Sequence, residues 1–347
     1  MAYWFIRHRY RERKWIYVIS ALLIITVVGV FIYSRYPASR EQAPVSPPDI
    51  SDVNRTAHTD TSTQKAEEPA PPAAAPQPEP NLSQAAPATP VDSNSRVTQL
   101  IAEAMKYLEA TPARIIEARD RLNDTLALPI SEQQRAFVKG QLSMLADKWL
   151  FNRTALPEDR LCGVYEVQPG DLLVTIGKQF KVPYEILMEI NGISRPEALQ
   201  AGQKIKVING PFHARIYCST FTMDLYLQNT FVRSFTVGLG KTGMETPTGL
   251  WVVKAGGKLI KPTWTDPVSG RRYEPDDPDY PLGSRWIGLE GLEGNAVGRT
   301  GFAIHGTNNP QEIGMTGSQG CIRLHNGDAV MVYNLLEPVY SRVETVE

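Results

Sequence analysis

Residues 301–326 read GFAIHGTNNPQEIGMTGSQGCIRLHN and contain the features that decide the fold of the C-terminal part of the chain. The apolar residues 302–304 are typical of a buried strand, and this strand ends at His305. A loop rich in Asn, Pro and Gly follows and leads the chain back to Cys321. Two adjacent strands joined in this way would bring the side chains of His305 and Cys321 together.

Cys321 is the candidate nucleophile of this stretch. It follows Gly320, whose permissive backbone would allow close approach of a substrate. Arg323 lies two residues further on, hence on the same face of an extended segment, and a nearby cation favours the thiolate. The alternative interpretations are a small buried apolar residue and a zinc ligand. Polar neighbours disfavour the first, and the absence of a second close Cys or His pair disfavours the second.

A catalytic cysteine needs a base, which is commonly histidine, and the chain has five histidines. His8 and His58 belong to the N-terminal segments described below. His325 is four residues beyond Cys321, about 13 Å along a strand, which is too far for direct proton transfer. Of the remaining His213 and His305, His305 ends the predicted strand from which the loop returns to Cys321, and it is therefore the preferred base.

The surrounding residues 212–346 alternate between apolar and polar side chains and contain many Gly and Pro turns. One clear helix is predicted, from about 327 to 336. The pattern indicates a β-rich domain with a mixed sheet, long enough to bury a core.

The N-terminal third of the chain predicts a membrane anchor and a tether. Residues 1–14 are basic, and residues 15–34 are apolar with aromatic ends, as in a transmembrane helix whose basic flank stays cytoplasmic. A cleaved signal peptide is the alternative, disfavoured by the length of the apolar run. Residues 35–93 are rich in Pro and Ala and predict a disordered linker.

Residues 94–155 predict two or three short helices with a packing or partner-binding role, and no reactive cluster occurs there. Thr111-Pro112 and Ser131-Glu132 are typical helix starts. Residues 163–209 predict a βααβ module in which Asp171 caps the first helix and the second helix ends at Asn191-Gly192.

This module resembles a LysM domain, on the strength of YEVQPGD (165–171), the central Asn191 and the ending AGQKIKV (201–207). The resemblance implies binding of N-acetylglucosamine-containing glycans such as peptidoglycan. The implied site is a shallow groove with Gly170, Asp171, Asn191 and Gly202 as candidate residues. A LysM fold that only packs against its neighbour is the alternative.

The C-terminal domain resembles the L,D-transpeptidase catalytic domain, also called YkuD, through IHGTNNPQEIGMTGSQGCIRLHN (304–326), VGLGKTGMETPTGLW (237–251) and PLGSRWIGL (281–289). The resemblance implies that Cys321 is the nucleophile and His305 the base, and that the Gly306 carbonyl orients the imidazole. It also implies substrate contacts and pocket-shaping residues, which are Arg323, Gly320, Ser318, Gln319, Thr307 and Trp286. Gln319 departs from the family pattern, which often has histidine there.

The reaction implied by the resemblance is the formation of 3→3 cross-links in peptidoglycan through a thioester on Cys321, with release of D-alanine. Backbone N–H groups around Gly320 and Cys321 are the expected oxyanion donors. Trp264, like Trp286, is a candidate for the cleft wall, and an ordinary core position is the alternative for both. An L,D-carboxypeptidase or endopeptidase and a non-catalytic wall-binding scaffold remain open.

The expected architecture is multidomain α+β, in the order transmembrane helix, linker, helical region, βααβ module and β-rich catalytic domain. No metal or organic cofactor is expected. The formal net charge of −1 disfavours nucleic acid as a partner. The expected location is the bacterial inner membrane, in a single pass, with the catalytic domain in the periplasm. Three cysteines leave at least one thiol without an internal partner, and Cys162 with Cys218 is a possible disulfide.

Overall fold

The computed structural model describes residues 93–347. The predicted basic tail (1–14), transmembrane helix (15–34) and linker as far as residue 92 lie outside the described residues. Within residues 93–347, no helix has the length and apolar character needed to cross a bilayer.

The described chain begins with three helices. Their bounds are Ser93–Glu109 (α1), Ile115–Leu126 (α2) and Glu132–Trp149 (α3). The predicted start at Ser131 is confirmed, because its hydroxyl accepts from the Gln134 N–H and the Gln134 side chain accepts from the Ser131 N–H. The predicted start at Thr111-Pro112 is wrong. Helix α2 begins at Ile115, after Arg114, whose backbone N–H instead bonds the carbonyl of Tyr107.

The βααβ module is present. It consists of β1 (Cys162–Glu166), α4 (Leu173–Phe180), α5 (Tyr184–Asn191), a 3₁₀ turn (Pro196–Ala198) and β2 (Lys204–Ile208), with β1 and β2 antiparallel. Helix α5 ends at Gly192 in the left-handed conformation, as predicted. Asp171 does not cap helix α4. Its carboxylate accepts from the Tyr165 hydroxyl and the Gln168 N–H, both at 2.8 Å.

The C-terminal residues form a mixed sheet, as predicted. The elements are β3 (Phe212–Tyr217), β4 (Thr222–Leu227), β5 (Thr230–Thr236), β6 (Leu239–Gly240), β7 (Gly249–Leu259), β8 (Trp264–Thr265), β9 (Arg272–Tyr273), β10 (Trp286–Gly294), β11 (Ala303–His305), β12 (Thr316–Ser318), β13 (Ile322–Arg323), α6 (Asn326–Leu335) and β14 (Arg342–Val346). Eight of the strands form the sheet, in the order β13-β11-β10-β7-β14-β3-β4-β5, with parallel pairs β11–β13 and β14–β3.

The three regions share one continuous hydrophobic core. Polar contacts reinforce their packing. Lys139 of α3 forms a 2.6 Å ion pair with the fully buried Asp224 of β4. Lys206 of β2 is buried, and its ammonium donates to the carbonyls of Trp149 and Asn152 at the end of α3. The helical region is therefore held by both neighbours.

All three cysteines carry free thiols, which overturns the possible Cys162–Cys218 disulfide. Cys162 is buried in β1 of the βααβ module, whereas Cys218 follows β3 of the large sheet. Burial raises the pKa of the Cys162 thiol to about 12, so this residue behaves as a small apolar side chain.

Candidate active site

The pairing of β11 with β13 sets the geometry of the site. These strands are parallel, with Ile304 opposite Ile322 and His305 opposite Arg323. Side chains alternate along a strand, so Cys321, directly before β13, shares a face with Arg323 and therefore with His305. The prediction that the intervening loop brings two adjacent strands together is confirmed, although the strands run parallel.

His305 lies inside this arrangement with only 4% of its surface exposed. Its Nδ1 is 2.5 Å from the carbonyl oxygen of Gly306, and its ring stacks on Trp286 with centroids 5.6 Å apart. The pKa of His305 is lowered to about 4, chiefly by burial and also by the charge of Arg323, while hydrogen bonds to the backbone of Gly306 and Leu282 oppose the shift. The imidazole is therefore neutral near pH 7, and because its Nδ1–H donates to the Gly306 carbonyl, its Nε2 carries no proton.

Cys321 is partly exposed. Its Sγ lies 3.7 Å from the carbonyl oxygen of Gly301. Burial raises the pKa of Cys321 to about 11. Within the described chain, no hydrogen bond joins Sγ to His305. The site therefore holds a neutral thiol beside a neutral imidazole.

The expectation that Arg323 favours the thiolate is wrong. The Arg323 guanidinium forms an ion pair with Glu312. Loss of water around the thiol raises the pKa of Cys321, and the hydrogen bond from the Ala303 N–H opposes this shift only in part.

The turn before Cys321 is held by hydrogen bonds. The Ser318 hydroxyl accepts from the Gly320 N–H at 3.1 Å and donates to the Cys321 carbonyl at 2.7 Å. The Thr246 hydroxyl donates to the Gly320 carbonyl at 2.9 Å. Because the Gly320 N–H is already paired, its expected role as an oxyanion donor is not supported.

Gly320 itself has φ = +104°, a conformation that L side chains rarely adopt. A Cβ at this position would lie 2.6 Å from Cε1 of Phe302. Glycine is therefore required for both backbone conformation and space, next to the candidate nucleophile.

The segment 260–285 contains the β8–β9 hairpin and contacts the loops of the site. Gln319 donates to the Asp266 carboxylate at 3.1 Å, and Asn308 donates to the Asp279 carbonyl at 2.9 Å. Trp264 stacks on Tyr273 within this segment, with ring centroids 5.9 Å apart, so the two rings pack on each other inside the hairpin. A role of Trp264 in the cleft wall stays a prediction.

Thr307 is buried, and its hydroxyl pairs with the backbone of Asn309. Like Ser318, it shapes a loop of the site in this structure. Direct contact of these two side chains with substrate stays a prediction.

Sequence reasoning missed Asn326 at the start of α6. Its side-chain oxygen accepts from the N–H groups of Ser284 and Thr307, and its side-chain nitrogen donates to the Thr307 carbonyl. Asn326 thereby holds the chain next to Gly306, whose carbonyl bonds His305. Its place at the end of the 301–326 motif was the available signal, but its partners are not visible in the sequence.

The candidate glycan residues of the βααβ module separate into two groups. Gly170 and Gly202, both with positive φ, lie in neighbouring turns where the Gly202 N–H donates to the Val167 carbonyl. Asp171 belongs to the first of these turns. Asn191 is buried and bonds the backbone N–H and carbonyl of Lys206. It therefore does not lie on the surface formed by the two glycine turns.

Metal ligands do not cluster in this part of the chain. Across residues 93–347, no group of three or more His, Cys, Asp or Glu side chains is arranged to hold a metal ion.

Comparisons with known families match both domains. Residues 212–344 match the family described as the L,D-transpeptidase catalytic domain, YkuD, and residues 165–207 match the LysM domain. The protein YkuD of Bacillus subtilis (strain 168), which carries the L,D-transpeptidase name, is 30% identical over 179 residues. These residues cover 50% of this chain and 92% of that protein. ErfK/SrfK of Escherichia coli (strain K12) is 31% identical over 54% of this chain and 56% of its own length.

Among solved structures, an L,D-transpeptidase from Mycobacterium smegmatis matches with a TM-score of 0.30 and 16% identity, over 42% of this chain and 64% of that one. The sequence matches carry the assignment. The family match spans the region in which His305 and Cys321 lie on one sheet face. The match to the Bacillus relative covers nearly the whole of that protein. The chain therefore belongs to the YkuD family of L,D-transpeptidases.

Proposed function

We propose that this chain is a peptidoglycan L,D-transpeptidase that forms 3→3 cross-links, with Cys321 as nucleophile and His305 as base. The observation that carries the proposal is the parallel pairing of β11 with β13, which sets both side chains on one face of adjacent strands. The neutral state of His305 supports its role, because only an unprotonated imidazole can take the thiol proton.

The proposed reaction has two half-reactions. As Cys321 attacks the carbonyl of the third residue of a donor stem, its proton passes to His305. The bond to terminal D-alanine breaks, D-alanine leaves with that proton, and a thioester remains on Cys321. The side-chain amine of a second stem then attacks the thioester, and its proton passes through His305 to the thiolate. The product is a cross-link between two third residues, and the enzyme is regenerated.

The protonation states favour proton transfer during attack over a preformed ion pair. A thiol with a pKa of about 11 beside an imidazole with a pKa of about 4 keeps its proton in the free site. The Cys321 N–H is the proposed oxyanion donor, since the Gly320 N–H bonds Ser318.

The remaining site residues have proposed supporting roles. Gly306 orients the imidazole through its carbonyl, and Trp286 packs on the ring and lines the cleft. The Arg323–Glu312 ion pair organises the pocket, and Gln319 links the nucleophile turn to segment 260–285.

The modular placement is part of the proposal. Residues 15–34 anchor the chain in the inner membrane with residues 1–14 in the cytoplasm, and residues 35–93 form the tether. The LysM module (163–209) binds glycan around Gly170, Asp171 and Gly202 and so raises the local concentration of stems for the catalytic domain (212–346). The helical region (94–155) packs against both. The sequence patterns support this organisation.

Incubation of the full chain with tetrapeptide-bearing muropeptides tests the reaction. Dimers with 3→3 links and released D-alanine are expected, together with a mass increase on Cys321 from the thioester. Tripeptides without dimers would show a carboxypeptidase instead. The Cys321→Ala variant should form neither product, and unchanged products from that variant would disprove the assignment.

A further inference from the structure

A groove of about 520 Å³ lies between helices α2 and α3 and the strands β14, β3 and β4 of the large sheet. This volume falls within the range of sites for small ligands. We name it the cationic groove after its charged lining residues, which are Arg135, Lys139, His213, Arg215, Arg342 and Glu344. None of these residues belongs to the Cys321 site.

Strand pairing builds the floor of the cationic groove. In β3, His213 and Arg215 alternate with the buried Phe212, Ala214 and Ile216, so both point to the face opposite the core. The Arg342 N–H of the neighbouring β14 donates to His213 Nδ1 at 3.0 Å. The neutral imidazole therefore carries its proton on Nε2, which leaves a donor for a ligand.

Two of the four cations in the groove are already paired. Lys139 bonds the carboxylate of Asp224 at 2.6 Å, and Arg215 bonds that of Glu344 at 2.5 Å. Arg135 and Arg342 have no carboxylate within ion-pair distance anywhere in the described part of the chain. Arg135 is half-buried one turn before Lys139 on the same face of α3, whereas Arg342 is exposed at the rim. Two unpaired guanidinium groups and an N–H donor favour an oxyanion ligand.

The groove shares a sheet face with the candidate active site. His305 pairs with Trp286 in β10, Glu290 of β10 pairs with Val252 in β7, and Val252 pairs with Arg342. The register of β10 against β7 shifts between Ile287 and Leu289, but both of these residues are buried, whereas Trp286 is partly exposed and Glu290 is exposed. Trp286 and Glu290 therefore share the face opposite the core, and so do their partners His305 and Arg342. Three strand spacings separate β11 from β14, which is about 15 Å.

We propose that the cationic groove binds the free carboxylate of a peptidoglycan stem peptide while a neighbouring stem occupies the Cys321 cleft. The inference rests on the proposed function, because that function brings carboxylate-bearing stems to this face of the sheet. Arginine pairs with a carboxylate through two parallel hydrogen bonds, which matches a peptide terminus better than a neutral sugar. The groove would thereby select non-amidated stems.

The test is calorimetric titration of the full chain carrying Cys321→Ala, which cannot form a thioester. The ligands are a disaccharide-tripeptide with free carboxylates and the same compound with every carboxylate amidated. In the Cys321→Ala chain, the further substitutions Arg135→Gln and Arg342→Gln should weaken binding of the carboxylated compound about ten-fold, because charge-assisted hydrogen bonds are lost. The affinity for the amidated compound should not change.

Arg153→Gln is the matched control, since Arg153 is exposed and lies outside the groove. Equal affinity of the double variant and this control for the carboxylated compound would overturn the proposal. Displacement of that compound by equimolar inorganic phosphate would overturn the stem assignment and indicate a phosphate site. Binding of the carboxylated compound to the cationic groove does not require a thioester. If that binding depends on Arg135 and Arg342 but the unaltered chain forms no cross-links, only the transpeptidase function is refuted.

Discussion

At the scale of single residues, the protonation of the site is decided by burial. His305 and Cys321 are both shifted toward their neutral forms, with pKa values of about 4 and about 11. Desolvation disfavours each charged form, and within residues 93–347 no opposite charge forms an ion pair with either residue. Burial therefore favours the neutral thiol and the neutral imidazole, which is consistent with proton transfer during the attack.

This arrangement predicts the acid limb of the pH profile. The base must be unprotonated, so the acylation rate should stay level near neutrality and fall as pH drops through about 4. Arg323→Gln removes a positive charge that lowers the pKa of His305, so the acid limb should move to higher pH. The measurement is D-alanine release against pH.

Arg153→Gln serves as the control, because Arg153 is exposed and distant in sequence from the site. Its acid limb should match that of the unaltered chain. An unshifted limb in Arg323→Gln would contradict the electrostatic role of Arg323. Circular dichroism at each pH separates titration of the site from unfolding.

Gly320 predicts a steric effect next to the nucleophile. Gly320→Ala should cost about 1–3 kcal/mol, because the positive φ is strained for alanine and its Cβ would overlap Phe302. If that strain moves Cys321, the acylation rate should fall at least about ten-fold. Urea unfolding and thioester formation measure the two effects.

The matched variant is Gly140→Ala in helix α3, where no heavy atom would lie within 4 Å of the added Cβ. It should keep full activity and gain up to about 1 kcal/mol, because alanine favours helix. An unchanged acylation rate in Gly320→Ala would show that the turn before Cys321 tolerates a side chain, and would contradict the predicted steric effect.

At the scale of elements, a buried lysine joins the LysM module to the helical region. The last carbonyls of helix α3 have no partner inside the helix, and the Lys206 ammonium bonds that of Trp149. It also bonds the carbonyls of Asn152 and Thr154, which follow the helix. A positive charge at a helix C-terminus is also favourable to the helix dipole.

Lys206→Met should therefore destabilise the chain by about 1–3 kcal/mol, since buried carbonyls would lose their donors. The free energy of unfolding in urea is the measurement. Lys204→Met, at the exposed start of the same strand, should change stability by less than about 0.5 kcal/mol. Equal effects of the two substitutions would contradict the capping role.

At the scale of the whole molecule, the sequence divides into modules but the described chain packs as one body. Its buried core runs without a break from Ala104 in the helical region, through Leu187 in the LysM module, to Val343 in the sheet. Buried ion pairs such as Lys139–Asp224 cross the boundaries between regions. Removal of one region would expose apolar surface on the others.

Residues 93–347 should accordingly unfold in one cooperative transition. Differential scanning calorimetry should show a single peak whose calorimetric and van't Hoff enthalpies agree. Lys139→Met, which leaves Asp224 buried without its cation, should lower the temperature of the whole transition. Separate peaks for the LysM module and the catalytic domain would contradict the shared core.

Much of the fold was predictable because its signals are local. The capping box at Ser131, the left-handed Gly192 and the alternation of β3 each depend on a few neighbouring residues. The wrong prediction of a helix start at Thr111-Pro112 also came from a local signal. These residues lie in a loop, where the backbone N–H of Arg114 bonds the Tyr107 carbonyl of helix α1.

The sequence by itself determined the family, the candidate nucleophile and the candidate base, because these depend on residue types at fixed spacing around His305 and Cys321. Only the tertiary structure decided their protonation, the pairing of Arg323 with Glu312 and the anchoring role of Asn326. It also decided which arginines of the cationic groove stay unpaired. The physical reason is that desolvation and charge pairing depend on groups that folding brings together from distant positions, and no local pattern encodes their distances.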